Sequence, residues 1–269
     1  MSLLTKAFIM GVVEGLTEFL PISSTGHLII TGDLIGFKGG SFHTMFEIVI
    51  QLGAILAVVY YYRKKIVDSF AHILPGQRGF NLWFKMLIAF LPSAAFGVLL
   101  NDYIEKYLFS SFTVALALIA GGILILIVEK AFGRNGVDDI DEAGLGQSFV
   151  IGLAQCLSLF PGMSRSASTI MGGMAAGLSV KAAAEFSFFL AIPTMFAATA
   201  YSLLKGFASM SAIEWQALGI GFVMSFIVAL LAVDKFLSYL TKNSLKPFAY
   251  YRILVGVAMI LLITSGIVN

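Results

Sequence analysis

Two glutamates near the start of the chain are the first residues whose type and spacing suggest chemistry. Glu14 and Glu18 lie four positions apart in an apolar stretch, so a helix would place both carboxylates on one face. Adjacent carboxylates in apolar surroundings repel each other and lose solvation. A divalent cation, or the guanidinium of Arg165, would relieve that repulsion. The alternative is an interfacial helix with both acids in water. The loop that begins directly afterwards at Pro21 makes this alternative less favourable.

The next segment combines hydroxyl groups with an imidazole. It has the sequence Pro-Ile-Ser-Ser-Thr-Gly-His and ends at His27. Histidine is the side chain best suited to proton transfer near neutral pH, and Ser24 is spaced to act as its nucleophilic partner. Thr25 adds a further hydroxyl. A structural role is the alternative, because Ser23 or Ser24 would also cap a helix.

A second motif, Pro-Gly-Met-Ser-Arg-Ser-Ala-Ser-Thr at residues 161–169, has the features of an anion site. The guanidinium of Arg165 matches phosphate oxygens, and a helix beginning here would direct free N–H groups at an anion. Gly162 permits a tight turn. The hydroxyl groups belong to Ser164, Ser166, Ser168 and Thr169. In the alternative, Arg165 only neutralises Glu14 or Glu18; both interpretations place it beside the glutamates.

The elements that position these motifs lie in a membrane. Of 269 residues, 59% are hydrophobic and 12% charged, which is about half the charged fraction of a soluble domain. Six segments are long enough to span a bilayer: roughly 45–62, 83–100, 111–129, 183–203, 215–237 and 248–266. A net charge of +2 with scattered bases argues against nucleic-acid binding, and the single cysteine excludes an internal disulfide.

Two further apolar stretches, 5–36 and 147–180, contain the motifs and are interrupted by Pro, Gly, Ser and Thr. Each half is too short to span, so we predict two re-entrant helix–loop–helix hairpins. The fold class is therefore an all-α integral membrane protein with six transmembrane helices plus these hairpins.

The distribution of basic residues predicts the orientation. Loops 63–82, 130–146 and 238–247 are richer in Lys and Arg than those on the other side, so the positive-inside rule places them in the cytoplasm. Their bases are Arg63, Lys64, Lys65, Arg78, Lys130, Arg134, Lys242 and Lys246, against Lys6, Lys38, Lys106 and Lys205 on the other side. Both termini then lie outside, with the first hairpin entering from outside and the second from the cytoplasm.

The two halves of the chain resemble each other. Residues 11–27 align with 152–168, with Pro21 matching Pro161, and Glu47 aligns with Glu185. The further matches are Phe90, Ser93, Asp102, Tyr107 and Gly121 with Phe222, Ser225, Asp234, Tyr239 and Gly256. Each half holds one hairpin and three spans, an odd number, so we predict inverted topology. Repeat one (about 1–130), a cytoplasmic linker (131–146) and repeat two (about 147–269) form one membrane domain, with the site where the breaks meet.

The motifs EGLTEFLPISSTGH and PGMSRSAST resemble those of the bacterial undecaprenyl-diphosphate phosphatases, the bacitracin-resistance family, and the similarity covers essentially the whole chain. The resemblance implies hydrolysis of undecaprenyl diphosphate, the spent lipid carrier of peptidoglycan synthesis, to the reusable monophosphate plus phosphate. It implies a divalent cation, Mg²⁺ or Ca²⁺, held by Glu14 and Glu18. The catalytic residues carried over are Ser24, His27, Glu18 and Arg165. Those carried over for phosphate binding are Thr25, Gly162, Ser164, Arg165, Ser166 and Thr169.

The mechanism expected from this resemblance has two forms. Ser24 attacks the terminal phosphorus or positions a water that does so, and His27 carries the proton. The partners are a polyprenyl diphosphate lipid and the bilayer, with no nucleic acid; a homodimer is compatible with the sequence. The location is the bacterial cytoplasmic (inner) membrane, with both termini and the active site on the outer face.

A transporter is the alternative class, because inverted repeats with broken helices are a transporter architecture. The same arginine and helix ends would then bind phosphate without cleaving it. The Ser24–His27 pair beside two carboxylates favours the enzyme, since transport needs a counter-charge and no nucleophile. A purely structural scaffold leaves the charges at membrane depth unexplained.

Overall fold

A computed structural model describes residues 1–37, 39–108, 110–133, 136–204 and 210–268, without the side chains of residues 101, 102, 105, 106 and 202–204. Within these ranges the chain forms eleven α-helices and a short 3-10 helix, Cys156–Leu159, and no strand. The α-helices are α1 (Leu3–Thr17), α2 (Ser24–Ile35), α3 (Gly40–Tyr61), α4 (Arg63–Ala71), α5 (Arg78–Tyr107), α6 (Ser111–Phe132), α7 (Leu145–Gln155), α8 (Arg165–Ala175), α9 (Val180–Leu204), α10 (Ala212–Leu240) and α11 (Lys246–Thr264). Lys38, Arg134, Lys205 and the side chains of Asp102 and Lys106, used above, lie outside the description.

Six of these helices confirm the six predicted spans. Helices α3, α5, α6, α9, α10 and α11 are long and apolar enough to cross a membrane. Large apolar side chains such as Val98, Leu99 and Leu254 are about 70% exposed or more. Such exposure suits lipid tails, which replace water as the solvent of these surfaces. The chain is a multi-pass, all-helical membrane protein.

The remaining pairs of helices, α1–α2 and α7–α8, are shorter. They contain 15, 12, 11 and 11 residues, and crossing a bilayer takes about 20. A break separates the members of each pair, at Pro21 and at Pro161, whose nitrogens have no hydrogen to donate. Each second helix then begins after a serine N-cap. Ser23 accepts from the Gly26 N–H at 3.5 Å and Ser164 from the Ala167 N–H at 3.2 Å.

Both capping serines have a left-handed backbone. Ser23 and Ser164 each have a φ of 70°, and they are the only residues other than glycine with positive φ in the described ranges. This region is sterically costly for a residue with a Cβ, so surrounding contacts must hold it. The two breaks therefore share one local geometry.

Small residues bring the helices into close contact. A Cβ on Gly11 of α1 would lie 2.5 Å from the carbonyl oxygen of Gly221 of α10, and one on Gly53 of α3 would lie 2.6 Å from that of Phe222. The main apolar cluster takes side chains from α3, α5, α8, α9 and α10, and it includes Phe19 of the first break. The first break is thus anchored in the packed interior.

Replacing Gly11 by alanine is expected to destabilise the protein by roughly 1–3 kcal/mol, because the new methyl group meets backbone that cannot rotate away. The matched control is Gly219→Ala on α10, where an added Cβ meets nothing within 4 Å. Thermal unfolding of both variants in detergent micelles measures the difference. Equal unfolding midpoints for the two would show that this close contact contributes nothing.

Candidate active site

The two glutamates lie together at the end of α1, as their spacing predicts. Glu14 is 1% exposed and Glu18 is 7% exposed. The carboxylate of Glu18 contacts two groups: it accepts a hydrogen bond from the Ser24 hydroxyl at 2.6 Å, and it lies 3.6 Å from a terminal nitrogen of Arg165. Neither oxygen of Glu14 has a hydrogen-bond partner. A buried carboxylate without donors favours the approach of a cation or a proton.

Ser24 pairs with a carboxylate instead of the imidazole. It is the first residue of α2, and its hydroxyl donates to Glu18. The ring of His27 is held elsewhere, because Nδ1 donates to the Ser23 carbonyl at 2.7 Å and Nε2 accepts from the Tyr251 hydroxyl at 2.8 Å. The Ser24–His27 hydrogen bond suggested by the spacing is therefore not formed. Glu18 is the carboxylate in contact with Ser24.

Arg165 is the first residue of α8 and is largely buried, with a side chain 10% exposed. One terminal nitrogen donates to the backbone carbonyl of Ser187 at 2.9 Å and lies 3.3 Å from its hydroxyl. Its guanidinium carbon lies 5.6 Å from the centre of the Phe19 ring. Nε and the other terminal nitrogen have no hydrogen-bond partner. Since the Glu18 contact is too long for a hydrogen bond, donors remain for an anion.

The other hydroxyl residues around Arg165 hold the loops together. Ser164 shares a hydrogen bond of 3.0 Å with Ser166, whose hydroxyl lies 2.8 Å from the Leu20 carbonyl of the first break. The Thr169 hydroxyl lies 2.7 Å from that of Ser187. Direct contacts of Ser164, Ser166 and Thr169 with a phosphate stay predictions.

The turn before α8 requires glycine. Gly162 has a φ of 96°, and a Cβ there would lie 2.5 Å from the Val114 carbonyl oxygen. The turn leads into α8, where the N–H groups of the first turn precede any intrahelical acceptor. Thr25 occupies the matching first turn of α2 and is half-buried. Both helices therefore begin near the carboxylates, each with first-turn N–H groups besides the one that its serine caps.

Three residues of the site carried no assignment from the sequence. Ser187 of α9 positions Arg165, Tyr251 of α11 bonds to His27, and Arg252 of α11 is fully buried against both breaks. Arg252 carried a detectable signal, a cation among apolar residues within a span. Ser187 and Tyr251 had none, because one serine or tyrosine in an apolar helix is ordinary.

The donor set suits a hard cation that has further ligands. No group of three or more His, Cys, Asp or Glu side chains converges anywhere in the part of the chain that the structure describes. Mg²⁺ is commonly held by one or two carboxylates together with water and substrate phosphate oxygens. Glu14, with two unpartnered oxygens, and Glu18 fit that pattern.

Comparison of the sequence with known proteins identifies the family of this chain. The sequence model of the family described as bacitracin resistance protein BacA matches residues 7–258. A protein named undecaprenyl-diphosphatase from Thermoanaerobacter sp. (strain X514) is 68% identical, with all of both chains covered. Proteins of the same name from Caldanaerobacter subterraneus subsp. tengcongensis and Clostridium tetani are 64% and 50% identical, over 100% of this chain and 99% and 100% of theirs. This chain belongs to the bacitracin resistance protein BacA family.

Proposed function

We propose that this protein hydrolyses undecaprenyl diphosphate to undecaprenyl monophosphate and phosphate, which recycles the lipid carrier of cell-wall synthesis and confers bacitracin resistance. The relatives named undecaprenyl-diphosphatase support the reaction. The observation that carries it is the contact of Ser24 with Glu18, next to an arginine with unused donors. A nucleophile, its base and a phosphate-binding group thus lie within one buried cluster.

In the first step, the Ser24 oxygen attacks the terminal phosphorus. The Ser24 proton passes to Glu18, which already accepts its hydrogen bond, and the bond from phosphorus to the bridging oxygen breaks. The monophosphate leaves with that oxygen, and water then cleaves the serine–phosphate bond. In the alternative form, Ser24 and Glu18 orient a water that attacks directly.

The positive groups stabilise the charge that develops on the phosphoryl oxygens. The free donors of Arg165 and the N–H groups at the start of α8 are suited to bind them before the reaction begins. Gly162 allows the backbone to come close, and Thr25, Ser164, Ser166 and Thr169 complete the proposed pocket. His27 is proposed to carry the proton for the leaving oxygen: Nε2, unprotonated where it accepts from the Tyr251 hydroxyl, takes up a proton before delivering it.

A divalent cation, Mg²⁺ or Ca²⁺, is proposed to be held by Glu14 and Glu18 with the substrate's own oxygens. When bound, it would offset the negative charge of the diphosphate. The two carboxylates would in turn lose their mutual repulsion, which is the physical reason for placing them side by side in a buried site.

An inverted repeat with two re-entrant hairpins, repeat one at about 1–130 and repeat two at about 147–269, is proposed as the architecture. Several matched features support it. Ser23 and Ser164 have the same φ at the two breaks. The close contact of Gly11 with Gly221 has a counterpart between Gly152 and Ala89. The repeat alignment pairs Gly11 with Gly152 and Ala89 with Gly221.

The proposed orientation places both termini and the active site on the outer face of the bacterial cytoplasmic membrane. The linker 131–146 then lies in the cytoplasm, on the same side as the basic loops. A site open to the outer face suits a carrier that is released there as the diphosphate. The polyprenyl tail would lie against the exposed apolar side chains of the spans.

Replacing Arg165 by alanine is expected to lower kcat for a polyprenyl diphosphate by roughly 100-fold or more, because a preorganised donor to the transferring phosphoryl group is lost. The matched control is Arg63→Ala, which removes a surface arginine lying over the Tyr60 ring. Phosphate release by purified protein, with and without EDTA, is the measurement. Wild-type protein that binds the lipid without releasing phosphate would instead support transport.

Replacing Glu14 by glutamine is expected to abolish the rise in thermal unfolding midpoint that wild type shows when Mg²⁺ replaces EDTA, because the amide has no charge with which to bind the cation. In the assay, the same variant should need more Mg²⁺ for half-maximal activity. The control is Glu142→Gln in an exposed turn. A rise with Mg²⁺ equal to that of wild type, together with an unchanged metal requirement, would exclude Glu14 as a cation ligand.

Replacing Ser24 by alanine is expected to reduce kcat by several orders of magnitude and to abolish any labelled phosphoprotein in acid-quenched reactions, because the attacking oxygen is removed. The control is Ser265→Ala, an exposed hydroxyl beyond α11. A reduced rate with no labelled protein in wild type would establish attack by a water that Ser24 orients, whereas a rate close to that of wild type would exclude Ser24 from both forms.

A further inference from the structure

Arg252 is the largest fully buried side chain of the described residues, and it lies in the first half of the last span. An arginine has five N–H hydrogens to donate. Its guanidinium makes five hydrogen bonds, all to backbone carbonyl oxygens. The acceptors are Leu118 at 3.3 Å, Ala117 at 3.2 Å, Pro21 at 3.3 Å, Gly162 at 3.1 Å and Met163 at 3.0 Å.

These acceptors belong to three different parts of the chain. Pro21 lies in the first break, Gly162 and Met163 lie in the second, and the other two lie in α6. Broken helices in a membrane leave carbonyl oxygens that the helix no longer pairs and to which lipid offers no donor. One planar cation satisfies carbonyls of both breaks and fixes one break relative to the other.

The bond to Met163 also sets the direction of a neighbouring donor. A trans peptide holds its C=O and its N–H on opposite sides, and the described chain has no cis peptide. Because the Met163 carbonyl points at Arg252, the N–H of Ser164 in the same peptide points away from it. Ser164 is the N-cap of α8 and directly precedes Arg165. Its N–H therefore belongs to the group of free donors at the start of this helix.

The same bonds hold the two strained serines. Met163 immediately precedes Ser164, and Pro21 precedes Ser23 by two residues. Both serines have a φ of 70°, which persists only where surrounding contacts determine it. Arg252 supplies such contacts on both sides of the site, at the points where α2 and α8 begin with Ser24 and Arg165.

We propose that Arg252 is a positioning residue for phosphoryl transfer: it holds the carbonyls of both breaks so that Ser24, the α8 N–H groups and Arg165 face one phosphate. This inference rests on the proposed hydrolysis. It assigns to the last span a role that neither motif predicts. The role is separable from folding, because a neighbouring glycine allows the guanidinium to be displaced without removing it.

Gly121→Ala is the variant that displaces it, since a Cβ there would overlap the Arg252 guanidinium. Gly256→Ala is the matched control in the same contact between α6 and α11, where a Cβ would lie 2.7 Å from Ile119 Cγ1 and away from Arg252. Both variants should lower the thermal unfolding midpoint. Only Gly121→Ala should lower kcat, by about 10- to 100-fold, and its KM for the lipid should rise by less than that factor, because misaligned donors weaken the transition state more than the bound substrate.

Binding of inorganic pyrophosphate by calorimetry separates this inference from the proposed reaction. Gly121→Ala should raise the Kd by about tenfold relative to Gly256→Ala, because hydrogen bonds to a charged ligand are misaligned. Equal Kd and equal kcat for the two glycine variants would overturn the inference. Wild-type protein that binds pyrophosphate but releases no phosphate from the lipid would overturn the proposed function, while the Kd comparison would still decide the role of Arg252.

Arg252→Lys provides an independent test in the folded fraction isolated by size-exclusion chromatography. Lysine keeps the charge but has three donors on one nitrogen, which cannot span carbonyls of three segments. We expect a kcat at least tenfold below that of wild type, since correct positioning of donors is worth that much or more. Activity equal to that of wild type would show that a positive charge at position 252 is enough for full activity and that the planar guanidinium has no positioning role.

Discussion

Backbone polar groups of a broken helix must find partners when no water is available, and this constraint governs the centre of the molecule. Each break exposes carbonyls and N–H groups that a continuous helix would pair internally. Serine side chains cap some of the N–H groups, and Arg252 donates to carbonyls of both breaks. The donors left over lie at the start of α8, beside Arg165. The proposed binding site is thus formed by donors that the breaks release and the protein leaves unpaired.

The charges of the site are incompletely compensated. Glu14 has no hydrogen-bond partner, and two nitrogens of Arg165 have none either, although both side chains are buried. An ionised group in this state costs several kcal/mol relative to a well-solvated one, so a carboxyl placed here favours a proton or a cation. The ion pair of Arg165 with Glu18, at 3.6 Å, is too long to be a hydrogen bond. The unliganded fold is therefore less stable than it would be with these groups paired, at the place where an anion and a cation are proposed to bind. Such a loss of stability is common at functional sites.

The two breaks differ in chemistry despite their shared geometry. Where the first half has Glu14, the aligned position in the second is Gln155, whose amide donates to Ser93 at 2.5 Å. Where the first has Glu18, the second has Leu159. Conversely, Ser24 begins α2 and Arg165 begins α8. One break therefore supplies carboxylates and a hydroxyl, the other supplies a guanidinium, and a complete site requires both.

The sequence by itself determined the membrane class, the six spans, the two breaks and the nearness of Arg165 to the glutamates. The spans and the breaks follow from local composition, which can be read directly from the residues. The nearness of Arg165 to the glutamates follows from the cost of an unpaired charge in an apolar setting. Only the tertiary structure decided the partners. Ser24 bonds to Glu18 because the turn after α1 folds back, and His27 turns instead to Tyr251, which is distant in sequence. The part played by Arg252 depends on five backbone carbonyls from three segments. The direction in which a carbonyl points cannot be inferred from the type of the side chain.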